Sequence, residues 1–399
     1  MVPNGWELEK LDDIAKKVMV GIASAATHAY TDSGIRMLRN LNIKDGWIDD
    51  SDILHIEEGY EVQHKNKRLK AGDILTVRTG YPGLSAVVPS MYENAQCFTS
   101  LVTRLDQTRA LPDYVCRFIN SEYGKKFISS GEAGGAQKNV NAAMLKKMPI
   151  PLPPLPEQRK IAKILSTWDK AIATNEKLIA TSKQQKKALM QQLLTGKKRL
   201  VNPETGKAFE GEWEEVKLSQ IANITMGSSP KSESYNENGK GLPLLQGNAD
   251  IKSRKSAPRI HTSQITKECE IGDILLSVRA PVGSVAKSLH NACIGRGIAG
   301  IQAKRNVAQE FLYQWLLAFE PKWERFSQGS TFEAVNSNDI KTLHISAPSY
   351  LEQQKISSVL TAADKEIEVL EAKLAHFKQE KKALMQQLLT GKRRVSLSS

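Results

Sequence analysis

The residue types that usually carry catalysis or bind metals do not form a recognisable site in this sequence. The seven histidines have neither HExxH nor Cys/His zinc spacing. A GxxxxGK(S/T) phosphate loop and the Asn/Asp-Pro-Pro-aromatic box of base methyltransferases are also missing, and no GxGxxG is placed between a strand and a helix as in a Rossmann dinucleotide site. The cysteines form no CxxC pair and are predicted to be small core residues: Cys97, Cys116, Cys269 and Cys293. The sequence therefore predicts no catalytic or metal site and favours a recognition protein.

Cationic and amide side chains are instead placed where they could contact nucleic acid. Arg78 and Arg279 each follow a Gly-Asp turn and a short strand. Arginine can pair with guanine in the major groove, although an arginine at a strand end is equally compatible with a structural ion pair. Two further clusters supply candidate DNA contacts: Arg36, Arg39, Asn40 and Lys44 in the first half, and Gln246, Asn248, Lys252, Arg254, Lys255 and Arg259 in the second.

Two glycine-rich polar loops add a third kind of candidate. Backbone amides freed by glycine, beside Gln, Lys, Ser and Thr donors, suit phosphate oxygens. The same composition is also typical of an ordinary surface turn. The candidate residues are Gln137, Lys138 and Asn139 in the first loop, and Ser330 and Thr331 in the second.

Net charge supports a polyanionic partner. The 399 residues include 56 Lys and Arg against 43 Asp and Glu, which gives a formal charge of +13 and a pI near 9.4. Binding to DNA through such cations should depend strongly on salt. The first residues lack the layout of a signal peptide, and no apolar run approaches the ~20 residues of a membrane span. We therefore expect a cytoplasmic protein with no membrane partner.

The sequence contains an internal repeat. The run KKALMQQLLTGK at residues 186–197 returns unchanged at residues 381–392, an offset of 195. At the same offset Leu155 to Gln158 matches Tyr350 to Gln353, while the upstream parts match only weakly. Each half is therefore a variable region followed by a constant region, and a pseudo-two-fold fold is expected.

The constant regions are predicted to be long helices. From Glu157 onward the sequence contains no proline or glycine until Gly196, and the four nearby prolines upstream mark the entrance. Apolar residues recur every three and four positions, as in a coiled-coil seam. A surface helix on its own domain is the alternative. Two antiparallel helices of ~36 residues would each be ~54 Å long, longer than the ~34 Å of one DNA turn, and could space two DNA-binding domains.

The variable regions are predicted to have mixed α/β structure. Short apolar strands such as residues 74–77 and 274–278 alternate with glycine-rich turns, and residues 113–127 and 311–323 have helical periodicity. The predicted fold class is α+β, with two mixed α/β domains separated by two long antiparallel helices in a coiled coil.

Together these features resemble the specificity subunits of type I restriction-modification systems. The resemblance covers nearly the whole chain. It rests on the order of Gly-Asp-Ile-Leu turns, a glycine-rich loop before Val-Asn, the segment from Ile150 to Ile161 and the helix ending KKALMQQLLTGK, all duplicated once. The second copy departs from the pattern at residues 346–350, where most of the prolines are missing.

The resemblance implies a non-catalytic subunit with two target-recognition domains, each recognising one half of a split, asymmetric DNA sequence. It implies docking to two methyltransferase subunits, and to restriction/translocase subunits, with S-adenosylmethionine, ATP and Mg²⁺ used only by those partners. Apolar residues flanking the helices are the candidates for docking: Leu155, Ile161 and Leu193, and their counterparts Tyr350, Ile356 and Leu388.

The predicted domain bounds follow the repeat. They are residues 1–152 and 213–348 for the recognition domains, 153–196 and 349–392 for the spacer helices, 197–212 for a linker and 393–399 for a basic and polar tail. Two other functions remain compatible with the sequence. One is a DNA-binding protein that acts alone, and the other is a coiled-coil scaffold whose charge serves only solubility.

Overall fold

The structure is a computed structural model that describes residues 2–24, 26–130, 139–327 and 334–397, without the side chains of 324–327. Its contacts divide the chain into two units. Unit 1 comprises Met1–Glu176 and Lys373–Ser399, and unit 2 comprises Lys177–Ala372. Each unit therefore contains one variable region and part of both constant regions.

Among the described residues of unit 1 there are ten strands. They are β1 (Glu7–Lys10), β2 (Ala15–Val20), β3 (Tyr30–Thr31), β4 (Ile35–Leu38), β5 (Leu54–Ile56), β6 (Ile74–Thr76), β7 (Ser85–Val87), β8 (Gln96–Cys97), β9 (Leu101–Leu105) and β10 (Pro149–Leu152).

The part of unit 2 that the structure describes has thirteen strands. They are β11 (Glu214–Lys217), β12 (Ala222–Met226), β13 (Tyr235–Asn236), β14 (Leu242–Leu245), β15 (Ile251–Lys252), β16 (Lys255–Ser256), β17 (Ile260–Thr262), β18 (Glu268–Cys269), β19 (Ile274–Ser277), β20 (Val285–Lys287), β21 (Ala292–Ile294), β22 (Ile298–Ala303) and β23 (His344–Ala347).

The α-helices, in chain order, are α1 (Glu58–Val62), α2 (Pro112–Asn120), α3 (Glu122–Ser130), α4 (Ala142–Lys146), α5 (Leu155–Leu193), α6 (Leu218–Ile221), α7 (Gln309–Ser327), α8 (Ser337–Lys341) and α9 (Tyr350–Leu388). The α+β class predicted from the sequence is confirmed, and both long helices form over the expected residues.

The two units share one sheet plan. In unit 1 an antiparallel sheet has the order β2-β9-β6-β7, and a second has the order β3-β5-β4-β8 with β4 and β8 parallel. In unit 2 the corresponding orders are β12-β22-β19-β20, extended by β16 and β15, and β13-β17-β14-β21-β18. A short pair, β1-β10 or β11-β23, joins the start of each variable region to the entrance of the following long helix.

The Gly-Asp turns precede β6 and β19 for a local reason. Gly72 and Gly272 have φ of +87° and +93°, a conformation that side chains disfavour. The following aspartates are buried, and each accepts a hydrogen bond from a backbone amide three residues earlier, at 2.8 Å in both units. They are turn formers, as the sequence predicts.

The predicted helix at residues 113–127 forms instead as two helices, α2 and α3. The chain breaks at Ser121, whose hydroxyl donates to the carbonyl of Phe118 at 2.6 Å. Gly124 then packs so closely that a Cβ would lie 2.2 Å from the carbonyl oxygen of Ile119. A single straight helix would hold Gly124 farther from the carbonyl of Ile119. The close approach of these two residues requires glycine at position 124.

Within unit 1 the first part of α5 packs antiparallel on the last part of α9. Trp168 and Phe377 meet edge to face with ring centroids 5.6 Å apart. Lys381 lies 2.6 Å from Asp169, and Lys378 lies 2.8 Å from Glu176. The predicted helix pairing is therefore present in this unit.

Within unit 2 the last part of α5 pairs with the first part of α9 in the same antiparallel sense. Lys183 lies 2.7 Å from Glu371, and Lys186 lies 2.5 Å from Asp364. Ile179, one of the apolar residues that recur every three and four positions along α5, is buried. Because a heptad seam brings the same face of each helix to its partner, the spacing of apolar residues was sufficient to predict this contact.

A glutamine at the fourth residue of each long helix fixes it to its own domain. Gln158 Oε1 accepts from the amide of Leu111, just before α2, and Gln353 Oε1 accepts from Ala308, just before α7, at 2.8 and 3.0 Å. Their amide nitrogens donate to the carbonyls of Pro153 and Pro348. Both entrances therefore share one geometry despite the missing prolines of the second copy.

Candidate nucleic-acid interface

In each unit the ends of several strands meet at one edge, which we call the strand-end junction. In unit 1 it consists of residues 21–24, 39–40, 78–79 and 98–100. In unit 2 it consists of residues 227–231, 246–248, 279 and 295–297. The segments follow or precede strands of both sheets in their unit, so the topology itself gathers them.

A hydrogen-bonded network holds the junction of unit 1 together. Asn40 donates to the hydroxyl of Thr79 at 3.3 Å and accepts from the hydroxyl of Ser100 at 2.8 Å. Thr79 follows Arg78, whose side chain is half-buried and whose carbonyl accepts from the amide of Val140. The structure thus brings together Asn40 and Arg78, two candidates that are far apart in the sequence.

Close backbone packing builds the junction of unit 2. The amide of Gly227 donates to the carbonyl of Ile298, and that of Gly297 donates to the carbonyl of Gln246. A Cβ on Gly227 would lie 2.1 Å from the oxygen of Gly295, and one on Gly297 would lie 2.3 Å from that of Gln246. Glycine is therefore required where these loops meet.

The same junction contains a small polar cavity of about 460 Å³. Gln246 donates through Nε2 to the hydroxyl of Tyr235 at 2.9 Å, and that hydroxyl donates to the carbonyl of Pro230 at 3.0 Å. The lining comprises Ser229, Pro230, Lys231, Ser232, Tyr235, Gln246 and Arg296. Donors of this kind around an open cavity can bind phosphate oxygens or base edges.

Lys231 and Arg296 were missed by the sequence reasoning. Both are exposed, and neither has a carboxylate partner among the described residues. Arg296 lies between two glycines and just before β22, so the pattern Gly-Arg-Gly at a strand start was the available signal. Lys231 follows Ser228, Ser229 and Pro230, and this pattern does not predict which residues lie near Lys231 in the fold.

The remaining candidates of unit 1 have local partners; Arg36 is exposed, whereas Arg39 and Lys44 are half-buried. Arg36 donates to the carbonyl of Met91 at 3.2 Å, and its guanidinium lies 5.7 Å from the ring centroid of Tyr92. Arg39 pairs with Asp52 at 2.7 Å, and Lys44 pairs with Asp49 at 3.4 Å. These two cations are partly neutralised within the unit.

The basic cluster of unit 2 is divided by the fold. Arg254 forms a bidentate pair with Glu320 on α7, and Lys255 lies 2.7 Å from Glu368 on α9. Arg259 pairs with the buried Asp250, 2.8 Å away.

Arg254 and Lys255 therefore pair with helices of their own unit. Their closeness in the sequence had predicted that they would belong to one DNA-facing patch. Asp250 Oδ2 also accepts from the amide of Gln246, which ties Arg259 to the junction. Lys252 and Arg279 are exposed, and Asn248 is half-buried.

Gln137, Lys138, Ser330 and Thr331 lie outside the described residues, and Asn139 is exposed. In both units the chain after the loop is tied to the strand-end arginine region, because Val140 donates to the carbonyl of Arg78 and Val335 donates to that of Val278.

An arginine just beyond the C-terminal end of each long helix forms a structural contact within its own unit. Arg199 donates through Nε and Nη2 to the two oxygens of Glu352, at 2.7 and 2.8 Å, in unit 2. In unit 1 Arg394 binds Glu157 in the same way, with both distances 2.7 Å. Both carboxylates are buried, so each arginine closes a structural ion pair.

A tryptophan completes each pair. The guanidinium of Arg394 lies 5.7 Å from the ring of Trp6, and that of Arg199 lies 5.9 Å from the ring of Trp213. Trp6 Nε1 also donates to Glu157 at 3.1 Å. Burial acts to raise the pKa of Glu157, but the hydrogen bonds from Arg394 and Trp6 outweigh it and lower the pKa below its ordinary value.

Burial contradicts the docking prediction for four of the six candidate residues. Ile161 and Leu388 lie in the core of unit 1, and Leu193 and Ile356 lie in the core of unit 2, all at most 2% exposed. Their side chains already pack against their own domains and present no surface to a partner. Leu155 is half-buried and Tyr350 is 45% exposed, so the docking prediction stands only for these two.

A larger groove of about 760 Å³ lies in unit 1 beside the helix pair. It is lined by Trp47 and by both cations and carboxylates, including the Asp169–Lys381 and Glu176–Lys378 pairs. The cations and carboxylates of this groove neutralise each other, so the groove is less suited to a polyanion than the junction of unit 2.

The predicted core role of the cysteines is confirmed, since all four are free and buried. Burial raises the pKa of the Cys97 thiol to about 12. Within the described ranges no three His, Cys, Asp or Glu side chains come together as a metal site. None of the helices in those ranges combines the length and apolar character of a membrane span.

Comparison with known proteins identifies the family. The family model for the type I restriction modification DNA specificity domain matches residues 3–184 and 210–379, once for each half of the repeat. The chain belongs to this family. The resemblance stated from the sequence is confirmed, and a role in DNA recognition follows from it.

Individual relatives match nearly the whole chain. A putative type I restriction enzyme MjaX specificity subunit from Methanocaldococcus jannaschii is 34% identical, over 99% of this chain and 95% of its own length. The HsdS subunit from Thermoanaerobacter tengcongensis has a TM-score of 0.52 at 25% identity, with 98% of both chains covered. A chain from a structural study of complex assembly and conformational transition in a type I R-M system has a TM-score of 0.64 at 26% identity, with 98% and 100% covered.

Proposed function

We propose that this chain recognises a bipartite, asymmetric DNA target, with one strand-end junction contacting each half. The observation that carries the proposal is the repetition of one junction in two units with different side chains. Asn40, Thr79 and Ser100 form it in unit 1, whereas Gln246 and Arg296 line it in unit 2. Two unlike surfaces on one scaffold suit two unlike half-sites, because base-edge contacts depend on the side chains presented.

The repeated parts of the chain suit a repeated protein partner. Residues 186–197 and 381–392 are identical, and the Arg–Glu pairs at the helix ends have one geometry in both units. We propose that two methyltransferase subunits dock on these constant regions, with restriction/translocase subunits joining the assembly. The chemistry belongs to the partners: S-adenosylmethionine, ATP and Mg²⁺ would be bound there, and this chain would be non-catalytic.

The long helices are proposed to set the unspecified gap in the target. Each has 39 residues, which corresponds to ~58 Å at ~1.5 Å per residue. The Arg–Glu pairs and Gln158 and Gln353 fix the helices to the domains at their ends, so helix length would be transmitted to the spacing of the recognised bases.

Methylome sequencing tests the function. A host that carries this gene with its methyltransferase should show adenine methylation at a two-part motif, and deletion of this gene alone should abolish it. Retention of the motif in the deletion strain would refute the proposal. Binding of the purified complex to the motif should weaken steeply as salt rises, because cations contact phosphates. Tight specific binding by the chain without a methyltransferase would favour a protein that acts alone.

A further inference from the structure

Two cations without a carboxylate partner among the described residues line the cavity at the junction of unit 2. Arg254, Lys255 and Arg259 each pair with a carboxylate, as described above. In contrast, Arg296 and Lys231 line one cavity and have no carboxylate partner among the residues that the structure describes. An exposed pair of free cations beside hydroxyl and amide groups is suited to an anionic, hydrogen-bonding ligand.

Local contacts hold Arg296 in place but use only some of its hydrogen-bond donors. Its backbone amide and its Nε both lie within reach of the Ser229 hydroxyl, at 3.1 and 3.4 Å. Gly295 and Gly297 on either side allow the loop to approach residues 246–247. The two terminal Nη groups, which carry four donors, keep no partner within the described ranges, and they match the O6 and N7 acceptors of guanine.

The same place in unit 1 is built differently. There the amide of Gly21 donates to Ser100, just as Gly227 donates to Ile298. Phe98 and Ser100 of unit 1 correspond to Gly295 and Ile298 of unit 2. One residue, Thr99, with φ of +56°, lies between the first two, whereas Arg296 and Gly297 lie between the second two. The loop of unit 2 is thus one residue longer, and the extra length carries the arginine.

We infer that Arg296 is a specificity-determining residue of unit 2, reading a guanine in one half of the target, and that Lys231 contacts the adjacent phosphate. This rests on the proposed function. A bidentate arginine contact discriminates against the wrong base, whereas a lysine contact to phosphate contributes equally to every sequence.

The test compares the full chain, in complex with its methyltransferase, as wild type, Arg296→Ala, Arg296→Lys, Lys231→Ala and Arg305→Ala. Arg305 is the matched control, because it is also exposed and follows the opposite end of β22. Melting temperatures of all variants should agree within the experimental error, since these side chains are on the surface.

Methylomes of the variants should separate the contributions. With Arg296→Ala one base pair in one half-site should become degenerate while the other half stays unchanged, and affinity for the wild-type target should fall about tenfold or more. Arg296→Lys should not restore the guanine, because lysine lacks the planar pair of donors. Lys231→Ala should weaken binding to all sequences equally, and Arg305→Ala should change neither motif nor affinity.

Two outcomes overturn the inference. One is an unchanged motif with Arg296→Ala, and the other is equal weakening toward target and unrelated DNA, which would make Arg296 a phosphate contact. If the wild-type complex itself methylates no two-part motif, the proposed function fails, and that result is distinct from any difference between variants.

Discussion

Replacing Arg199 with Met should destabilise unit 2, because the carboxylate of Glu352 would stay buried without its cation. The Glu352 side chain is 1% exposed and that of Arg199 is 24% exposed. Removing one partner of a buried pair costs about 3–5 kcal/mol. Because the guanidinium keeps part of its hydration, we expect the lower end of that range, about 3 kcal/mol.

Hydrogen exchange followed by mass spectrometry can assign this loss to one unit. Core peptides from residues 177–372 should exchange about 100-fold faster in Arg199→Met, since each 1.4 kcal/mol of opening free energy is about a factor of ten. Core peptides from residues 26–130 should exchange at the wild-type rate, because they belong to unit 1.

Two further variants control the experiment. Lys198→Met removes a neighbouring exposed cation with no carboxylate partner in the described chain, and should change stability by less than about 0.5 kcal/mol. The double variant Arg199→Met with Glu352→Leu removes both charges and should recover to within about 1 kcal/mol of wild type. Equal effects of Arg199→Met and Lys198→Met, or no recovery in the double variant, would refute the argument from charge burial.

Three other predictions follow from the same geometry. The pKa of Glu157 is lower in the folded chain than in the unfolded chain, so its pair with Arg394 stabilises the fold. This stabilisation is complete above the unfolded pKa of about 4.3 and is lost as pH falls through the folded pKa. Glu157→Gln should therefore flatten the acid side of a melting-temperature profile. Gly227→Ala should disrupt the junction of unit 2 and DNA binding, since its Cβ would meet the Gly295 carbonyl. Gly59→Ala, in open space on α1 and outside both junctions, should leave DNA binding at the wild-type level. Deleting one heptad from both long helices shortens each by ~10 Å, about three base pairs at ~3.4 Å each, so the methylome should show a shorter gap; an unchanged gap would argue against a spacer role.

Local sequence patterns determined much of the fold. Gly196 and Gly391 adopt φ of +69° and +72° just beyond the long helices, as expected for helix ends. The uninterrupted helix formers and the three-four spacing were enough to predict the helices and their pairing, because both signals lie within a few residues along the chain. The repeat and the order of its motifs likewise identified the family without coordinates.

The pairing of charges was decided only by the tertiary structure. Arg254 and Lys255 looked equivalent to free cations in the sequence, yet their carboxylates lie 66 and 113 positions away along the chain. Arg199 and Glu352 are separated by 153 positions, so their contact could not be inferred from either helix alone.

Burial of the proposed docking residues has the same origin. Ile161 and Leu193 were identified from their position beside a helix entrance or exit, but which face of a helix is covered depends on the domain that packs against it. The junction of unit 2 also depends on long-range packing, because Ser229, Gln246 and Arg296 meet only where strands of two sheets end at one edge. Periodicity determines that elements form, whereas long-range packing determines which side chains remain free to bind.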